Sequence, residues 1–239
     1  MQLISLKREY ICSNREEIQR IAQISIITKA STGIELKGVS FSYPENPALL
    51  EGIDLSVDKD EIAVLTGVSG IGKTTLLKLI ASILKPSKGR IVRPERLGFM
   101  FQDDRLLPWR SSLCSSYRLL NEVGLSGDEL KTPAELSGGM KKRASLARCF
   151  SRIPEAILLD EPFLNLNKEA REMLWKKFFS LLKAHPGPVI IVTHFPEEVP
   201  SFPACRFYTL KGRPASLLKG WQSMDPADGV EKKEAGAAL

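Results

Sequence analysis

Eight consecutive residues, Gly67–Thr74, have the types and spacing of a phosphate-binding loop. They read Gly-Val-Ser-Gly-Ile-Gly-Lys-Thr and fit the pattern G-x-x-x-x-G-K-[ST]. Glycines let backbone N–H groups fold around a polyphosphate, and the start of the following helix adds a partial positive charge. Lys73 supplies a full charge to the outer phosphates, and the Thr74 hydroxyl is a ligand for Mg²⁺. The pattern predicts that the chain binds a nucleoside triphosphate.

Two carboxylates follow an apolar run later in the chain. Ala156–Leu159 is typical of a buried strand, and Asp160 and Glu161 come directly after it. At the carboxyl end of a parallel strand, Asp160 lies beside the phosphate loop, where bound Mg²⁺ needs a carboxylate. Glu161 points differently and is free to act as a general base on water. A surface Asp-Glu pair with no such role is the competing interpretation, which the phosphate loop disfavours.

A second anion site is predicted at Leu136–Met140, which reads Leu-Ser-Gly-Gly-Met and opens a basic helix. A Ser-Gly-Gly turn at a helix N-terminus presents backbone N–H groups to an anion. One chain therefore has two phosphate-binding helix ends, which is more than a single active site requires.

The elements that must position these residues alternate between strands and helices. The predicted strands are Ile34–Tyr43, Ile53–Val57, Glu61–Leu65, Arg90–Val92, Leu97–Phe101, Ala156–Leu159 and Val189–Val192. The predicted helices are Lys73–Leu84, Gly138–Arg152 and Lys168–Lys183. This alternation predicts an α/β fold with a largely parallel sheet.

Composition narrows the class of protein. The 239 residues are 43% apolar and 26% charged with a net charge of +6, which is typical of a globular chain and admits an anionic partner. We expect no membrane-spanning segment and no secretory signal. The four cysteines form no C-x-x-C pair, which disfavours a zinc site or a disulfide framework and suits a reducing cytosol. Only two histidines are present, so a mechanism that needs a histidine cluster is excluded.

The chain resembles the ATPase subunit of ATP-binding cassette (ABC) transporters over roughly residues 34–218, with six motifs in the family's order. The motifs are Tyr43, the phosphate loop, Gln102 after a short strand, Leu136–Met140, the Asp160–Glu161 strand end, and His194 after the last core strand. Residues 101–110 further resemble the branch that serves nitrate, sulfonate, taurine and related small anions.

The resemblance implies an α/β P-loop NTPase core with a mainly parallel sheet, an antiparallel β subdomain and a short helical subdomain at about residues 103–152. The ATPase domain is expected at residues 34–218, between an N-terminal extension (1–33) and a disordered tail (219–239). Capping-box spacing at Ser13 and Glu16 predicts a short helix in the extension, which packs on its own domain or docks on a partner.

The resemblance also implies roles for individual residues, with ATP and Mg²⁺ as the cofactors. ATP binding is assigned to Tyr43, Gly67, Val68, Ser69, Gly70, Ile71, Gly72, Lys73, Thr74 and Thr75, and Mg²⁺ contacts to Thr74, Gln102 and Asp160. Tyr43 stacks on adenine, unless it is an ordinary strand aromatic. Glu161 is the base, Gln102 touches Mg²⁺ or the attacking water, and His194 orients that water. His185 is expected to be a solvated helix-end residue without a catalytic role.

The same resemblance explains the second anion site. Ser137, Gly138 and Gly139 bind the γ-phosphate of ATP held by another ATPase subunit, so that two chains enclose two ATPs as a homodimer or paired with a different ATPase. The expected partners are separate membrane permease subunits and, indirectly, a substrate-binding protein. The chain itself is expected to be cytoplasmic and peripheral on the cytoplasmic face of the cell membrane. The predicted outcome is transport, with import of a small anion or similar solute favoured.

Two other functions compete with transport. One is a soluble ABC-type ATPase that acts on nucleic acid or ribosomes. The basic helix at 138–152 could suggest this, but no aromatic residues interleave with its charges, and no nucleic acid is expected. The other is an unrelated P-loop kinase or GTPase, which Leu136–Met140 disfavours.

Three features depart from the family's usual pattern. Asn167 stands where the family usually has Asp, which removes a charge expected to couple the two ATP sites. Met140 replaces the commoner Gln and cannot donate a hydrogen bond to the partner's ribose. Gln102 and Ser137 are only 35 positions apart, so the helical subdomain that docks on the membrane protein is expected to be short.

Overall fold

The computed structural model describes residues 33–44, 47–103, 119–120, 123–128, 130–151, 153–164, 166, 168–183, 185–196, 199 and 205–222. The N-terminal extension and its short helix lie outside the described residues except for Gly33. So do Asn167, the tail from residue 223 onward, and most of the 101–110 stretch that indicates the small-anion branch.

Nine strands and three α-helices make up the described part of the chain. The strands are β1 Ile34–Phe41, β2 Leu50–Val57, β3 Ile62–Thr66, β4 Lys88–Val92, β5 Leu97–Met100, β6 Ala156–Asp160, β7 Val189–Val192, β8 Cys205–Lys211 and β9 Ser216–Gln222. The helices are α1 Lys73–Ile80, α2 Gly138–Phe150 and α3 Lys168–Lys183, and a 3-10 turn spans Pro133–Glu135.

The larger sheet has six strands in the order β5-β6-β7-β3-β8-β9. Its first five strands are parallel, and only β9 pairs antiparallel, with β8. Every residue of β6 and β7 is buried, because both faces of the sheet are covered, and Asp160 at the end of β6 is the one polar residue of these two strands. Alternate residues pack into different clusters: Ile157 and Leu159 into one, Ala156 and Leu158 into the other. The predicted mainly parallel sheet is confirmed.

The smaller sheet has three strands in the order β2-β1-β4, all antiparallel. Strand β1 alternates buried and exposed residues as its sequence predicts, with Ile34, Leu36, Val39 and Phe41 buried. These side chains share a core cluster with α1 and with one face of the larger sheet. The antiparallel β subdomain is therefore confirmed.

Helix α1 is shorter than the sequence predicts. It ends at Ile80, whereas the apolar stripe predicted a helix to Leu84. Ser82 adopts a left-handed conformation with φ +57°, and the backbone N–H groups of Ile83 and Leu84 both donate to the Lys78 carbonyl. Ile83 is consequently turned out of the stripe and is 53% exposed, so its placement on the buried face was wrong.

The end of the domain also differs from prediction. Strands β8 and β9 had no counterpart in the predicted elements, and β9 continues to Gln222, four residues past the predicted domain end at Leu218. Their side chains mix apolar and polar types without a clean period, while their pairing completes the sheet beside β3. Within the described ranges, no helix has the length and apolar character needed to cross a bilayer.

Candidate nucleotide-binding site

A cleft of about 680 Å³ opens at the carboxyl edge of the larger sheet. Four neighbouring parallel strands end there, and the residues that follow each of them line the cleft: Gln102 after β5, Glu161 after β6, His194 after β7 and the phosphate loop after β3. The full lining is Tyr43, Pro47, Ala48, Leu49, Ser69–Thr75, Gln102, Glu161, His194, Gly212, Arg213 and Pro214.

The phosphate loop needs its glycines for close approach of the backbone. Gly67 has φ +147°, and a Cβ there would lie 2.9 Å from the Leu210 carbonyl oxygen. Gly72 has φ +112°, and a Cβ there would lie 2.9 Å from Cδ2 of Leu50. A larger residue at Gly67 would therefore meet the backbone of β8, and one at Gly72 would have to displace the Leu50 side chain, while both positions also have a φ that disfavours a side chain. Gly72 is also the N-cap of α1 and has no side chain to occupy the first N–H groups of that helix, which suits an anion.

The ammonium of Lys73 lies across this loop. Its Nζ donates to the carbonyl of Gly67 at 2.8 Å and to that of Val68 at 3.2 Å. Burial lowers the pKa of Lys73 below its usual value, and the carboxylates of Glu161 and Asp160 oppose that shift. Lys73 is thus a cation held inside the cleft between the loop and two acids.

Asp160 is 1% exposed and lies behind the cleft lining. Among the residues that the structure describes, neither of its carboxylate oxygens has a hydrogen-bond partner of good geometry. Burial raises the pKa of Asp160, and the Thr74 hydroxyl and the charges of Lys78, Lys73 and Lys142 oppose the shift. Such a buried, unpartnered carboxylate is costly unless something pairs with it. Next to a loop threonine it offers the hard oxygen ligands that Mg²⁺ prefers, so the residues present fit this ion.

Glu161 follows β6 directly and has a left-handed conformation, with φ +50°. This strained turn takes its side chain out of the alternation of the strand and into the cleft. Its Oε1 lies 3.1 Å from Nε2 of His194. Burial raises the pKa of Glu161, and His194 and Lys73 oppose the shift. The arrangement is a nearly buried carboxyl beside an imidazole, which is suited to accepting a proton.

His194 is fixed by the residues around it. Thr193 is buried, its N–H donates to the Leu65 carbonyl at 3.2 Å, and its hydroxyl oxygen accepts from the N–H of Phe195 at 3.0 Å. The imidazole of His194 is 38% exposed toward the cleft. His185, in contrast, does not line the cleft.

The expectation that His185 is solvated was wrong. It is half-buried, and its ring packs edge-on against Phe150 at 6.3 Å between centroids. Its Nε2 has no hydrogen-bond partner in the described part of the chain. The turn after α3 carries it onto the end of α2, which a loop sequence alone does not reveal.

Gln102 is exposed at the cleft and is tied to α2 through its backbone. Nζ of Lys142 donates to the Gln102 carbonyl oxygen. Lys142 is 9% exposed, so this is a buried cation between the basic helix and the residue after β5. The sequence predicted that the charged residues of this helix lie on the surface or face another subunit. For Lys142 this prediction was wrong.

Tyr43 lies two residues past the end of β1 and lines the cleft. Its hydroxyl is 3.2 Å from Oγ1 of Thr75, and its ring meets Phe41 edge-on at 4.9 Å. It is 38% exposed. This aromatic ring is therefore open to a ligand held by the phosphate loop.

Ser137 and Gly138 are exposed and do not line the cleft. Ser137 caps α2, with its hydroxyl oxygen accepting from the N–H of Met140 at 3.3 Å. A Cβ on Gly138 would meet nothing within 4 Å, and one on Gly139 would meet only Leu166 at 3.4 Å. This tip of α2 is therefore accessible to another molecule, and it is separate from the residues that line the cleft.

Sequence patterns missed one wall of the cleft. Pro47–Leu49 and the β8–β9 turn, Gly212–Pro214, belong to no motif, yet both line it. The Gly-Arg-Pro triplet is a turn signal, but nothing in the sequence tells which loop it will meet.

Comparison with known proteins decides the family. A family profile described as "ABC transporter" matches residues 50–164. The aliphatic sulfonates import ATP-binding protein SsuB 1 of Rhodococcus jostii is 37% identical over 186 residues, which cover 70% of this chain and 74% of that protein. The chain belongs to the ABC transporter ATP-binding proteins. It is therefore an ATPase subunit, and the resemblance inferred from the six motifs is confirmed, including the sulfonate-type branch.

Further comparisons agree with this assignment of the ABC ATPase. The SsuB protein of Granulibacter bethesdensis is 38% identical over 163 residues, which cover 63% of this chain and 68% of that protein. The dimeric structure of MJ0796, a bacterial ABC transporter cassette, superposes with a TM-score of 0.66 at 23% identity, covering 74% of this chain and 93% of the other. A post-hydrolysis state of MJ0796 bound to ADP and Pi gives 0.67 at 22%, covering 78% and 98%. These structures show the shared fold.

Proposed function

We propose that this ABC ATPase hydrolyses Mg·ATP in the cleft beside the phosphate loop, with a second ATPase subunit completing each site. The energy drives import of a small anion of the sulfonate class through separate membrane permease subunits, which this chain contacts at the cytoplasmic face of the membrane. The observation that carries the proposal is the meeting of Lys73, Glu161 and His194 in one cleft, while the Ser137–Gly139 tip faces outward.

The cleft supports a division of labour along a bound nucleotide. Tyr43 stacks on the adenine, and Ser69–Thr75 surround the phosphates with backbone N–H groups and the Lys73 charge. Thr74, Asp160 and Gln102 would hold Mg²⁺. When bound, this ion neutralises the charge that the phosphates develop.

Hydrolysis then follows from charge and proton position. Glu161 accepts the proton of the attacking water, since its burial holds the pKa above the usual range of a carboxyl and so makes it a better base. His194 contacts Oε1 of Glu161 and orients the water toward the γ-phosphate. Lys73 stabilises the negative charge that spreads over the transferred phosphoryl oxygens.

The second subunit completes each site. The N-terminus of α2 offers the N–H groups of Gly138 and Gly139 and the Ser137 hydroxyl to the γ-phosphate of ATP on that subunit. Loss of the γ-phosphate removes these contacts and lets the dimer reopen, which moves the permease. A substrate-binding protein would deliver the cargo to the permease.

The class of transported substrate is inferred from the names of similar proteins. The SsuB proteins named above are described as aliphatic sulfonates import ATP-binding proteins, and residues 101–110 resemble the small-anion branch. The basic residues of α2 do not favour the alternative function, an ABC-type ATPase that acts on nucleic acid or ribosomes. Lys142 is buried on the Gln102 carbonyl, and Arg143 Nη1 donates to the Gly124 carbonyl at 2.9 Å, so these charges are engaged within the chain.

The direct test is Glu161→Gln, which keeps the shape of the side chain and removes the base. We expect ATP turnover to fall on the order of a hundredfold or more, while binding of Mg·ATP persists and a dimer accumulates on size-exclusion chromatography. The parent protein without Mg²⁺ is the control and should remain in its nucleotide-free oligomeric state. Turnover at the parental rate, or a variant that stays single with Mg·ATP, would contradict the proposal.

A further inference from the structure

The turn between β8 and β9 forms a wall of the nucleotide cleft that no motif predicts. Gly212, Arg213 and Pro214 line the cleft together with Pro47–Leu49. The backbone fastens the two segments to each other. The Ala215 N–H donates to the Leu49 carbonyl at 2.9 Å, and the Glu51 N–H donates to the Ala215 carbonyl at 3.0 Å. The turn is therefore held in place by the start of β2.

The order of strands fixes where this turn lies relative to the chemistry. Strand β3, which carries the phosphate loop, has β7 on one side and β8 on the other. His194 follows β7, and Glu161 follows β6 beyond it. Arg213 follows β8, so it lies on the opposite side of the phosphate loop from the base and the histidine.

Tyr43 is joined to the Arg213 side of the loop through Leu49, whose N–H donates to the carbonyl of Phe41, two residues before Tyr43, at 2.9 Å. The Tyr43 hydroxyl contacts Thr75 at 3.2 Å, just past the phosphate loop. Leu49 and Leu50 pack against Gly72, and they are the residues that pair with Ala215. The nucleoside half of a bound nucleotide therefore meets this end, while the γ-phosphate meets Glu161 and His194.

We propose that Arg213 binds the nucleoside half of ATP, with its guanidinium packed on the purine ring opposite or beside Tyr43. Arg213 is an exposed cation in an otherwise apolar wall of Pro47–Leu49 and Pro214. A planar guanidinium stacks on aromatic faces more effectively than an ammonium and loses little entropy when a rigid turn presents it. The inference rests on the proposed nucleotide cleft and adds a residue to its base-binding end.

The test compares a whole nucleotide with its phosphate chain alone. Equilibrium binding of ATP and of inorganic tripolyphosphate, both with Mg²⁺, is measured for the parent, Arg213→Ala and Arg213→Lys by isothermal titration calorimetry. We expect Arg213→Ala to weaken ATP binding about tenfold and tripolyphosphate binding less than twofold. Arg213→Lys keeps the charge but not the planar stack, and we expect it to recover only part of the loss.

Lys211→Ala is the matched control, because it removes the same charge from the same hairpin at a side chain that does not line the cleft. We expect it to bind both ligands as the parent does. An ATP affinity of Arg213→Ala within twofold of the parent overturns the inference. So does an equal loss for tripolyphosphate, since Arg213 would then act on the phosphates. If Arg213→Ala unfolds, Arg213→Lys decides, and parental ATP binding by that variant also overturns the stacking role.

Lys73→Ala separates this inference from the proposed function. It should weaken both ligands strongly, because Lys73 acts on the phosphate chain. If it does so while Arg213→Ala changes neither, the cleft is the nucleotide site and only the role of Arg213 falls. If the parent binds neither ATP nor tripolyphosphate, the proposed function and the inference both fall.

Discussion

At the scale of single residues, the cleft concentrates groups that folding alone disfavours. Asp160 is buried with both carboxylate oxygens unpartnered, Lys73 is held with a lowered pKa, and Glu161 adopts a left-handed backbone conformation at φ +50°. Each of these costs free energy in the nucleotide-free chain. These charges are already in place when a charged ligand binds, so they stabilise it without rearrangement of the protein.

This argument predicts a trade between stability and activity at Asp160. Replacement by Asn removes a buried carboxylate whose burial raises its pKa more than the nearby lysines and the Thr74 hydroxyl lower it. Asp160→Asn should therefore raise the stability of the nucleotide-free protein by about 1 kcal/mol, or roughly 2–4 °C in Tm. ATP turnover should fall at the same time, because a proposed ligand for Mg²⁺ is lost. Thermal melting in the presence of EDTA, together with an ATPase assay, measures both.

Glu95→Gln is the control for that experiment, because it removes one negative charge from an exposed position away from the cleft. It should leave both Tm and turnover near the parental values. A lower Tm for Asp160→Asn would mean that the carboxylate already has a stabilising partner in the nucleotide-free chain, contrary to the geometry described above.

At the scale of elements, helix α2 connects the exposed tip at its N-terminus with the cleft of its own chain. Its N-terminus is the exposed Ser137–Gly139 tip, and one turn later Lys142 reaches the carbonyl of Gln102 at the chain's own cleft. A rigid helix transmits displacement along its length, so contact at the tip and position of Gln102 are mechanically joined. The charge of Lys142 also acts on Asp160, where it opposes the burial that raises the pKa of that carboxyl.

We therefore expect Lys142→Met to lower ATP turnover severalfold while leaving the affinity for ATP within about twofold of the parent. Met preserves the length and apolar stem of the side chain but cannot hold the Gln102 carbonyl. Lys141→Met is the matched control, because it removes the neighbouring charge on the same helix, where the side chain is only half-buried. Steady-state kinetics and equilibrium binding separate the two effects. Equal turnover in the two variants would show that the buried contact has no part in the chemistry.

The elements also show what a sequence can and cannot predict here. The strands β3, β6 and β7 are apolar except for the last residue of β3 and of β6, and each leads into a motif. Their pattern therefore predicts both the sheet and the convergence of Asp160–Glu161 and His194 on the phosphate loop. The β8–β9 turn was not predictable because its place depends on pairing with β2, a contact between residues more than 160 positions apart. Burial of Lys142 was hidden for the same reason: the charge pattern of a helix does not reveal a long-range partner.

At the scale of the whole molecule, the proposed site is complete only as a pair. Glu161 and the phosphate loop line one cleft, while the Ser137–Gly139 tip lies outside it, with Ser137 and Gly138 exposed. Two subunits arranged head to tail would therefore form two sites, each with a loop from one chain and a tip from the other. A Cβ added at Gly138 meets no atom of the described residues within 4 Å, so substitution there is expected to test association with little effect on the fold.

The pairing makes a complementation prediction that a single-chain site cannot satisfy. Gly138→Arg should abolish turnover by blocking the tip, and Lys73→Ala should abolish it by disabling the loop. A mixture of the two variants contains dimers in which the intact loop of one chain meets the intact tip of the other, so ATPase activity should reappear. With equal amounts, random pairing and independent sites, statistics give roughly a quarter of the parental rate per chain, or less where the sites cooperate. Lys73→Ala alone, at the total protein concentration of the mixture, is the control and should stay inactive. If the mixture hydrolyses no more ATP than the mean of its two components, the loop and the tip do not belong to one shared site, because a site drawn from two chains must recover when each supplies its undamaged half.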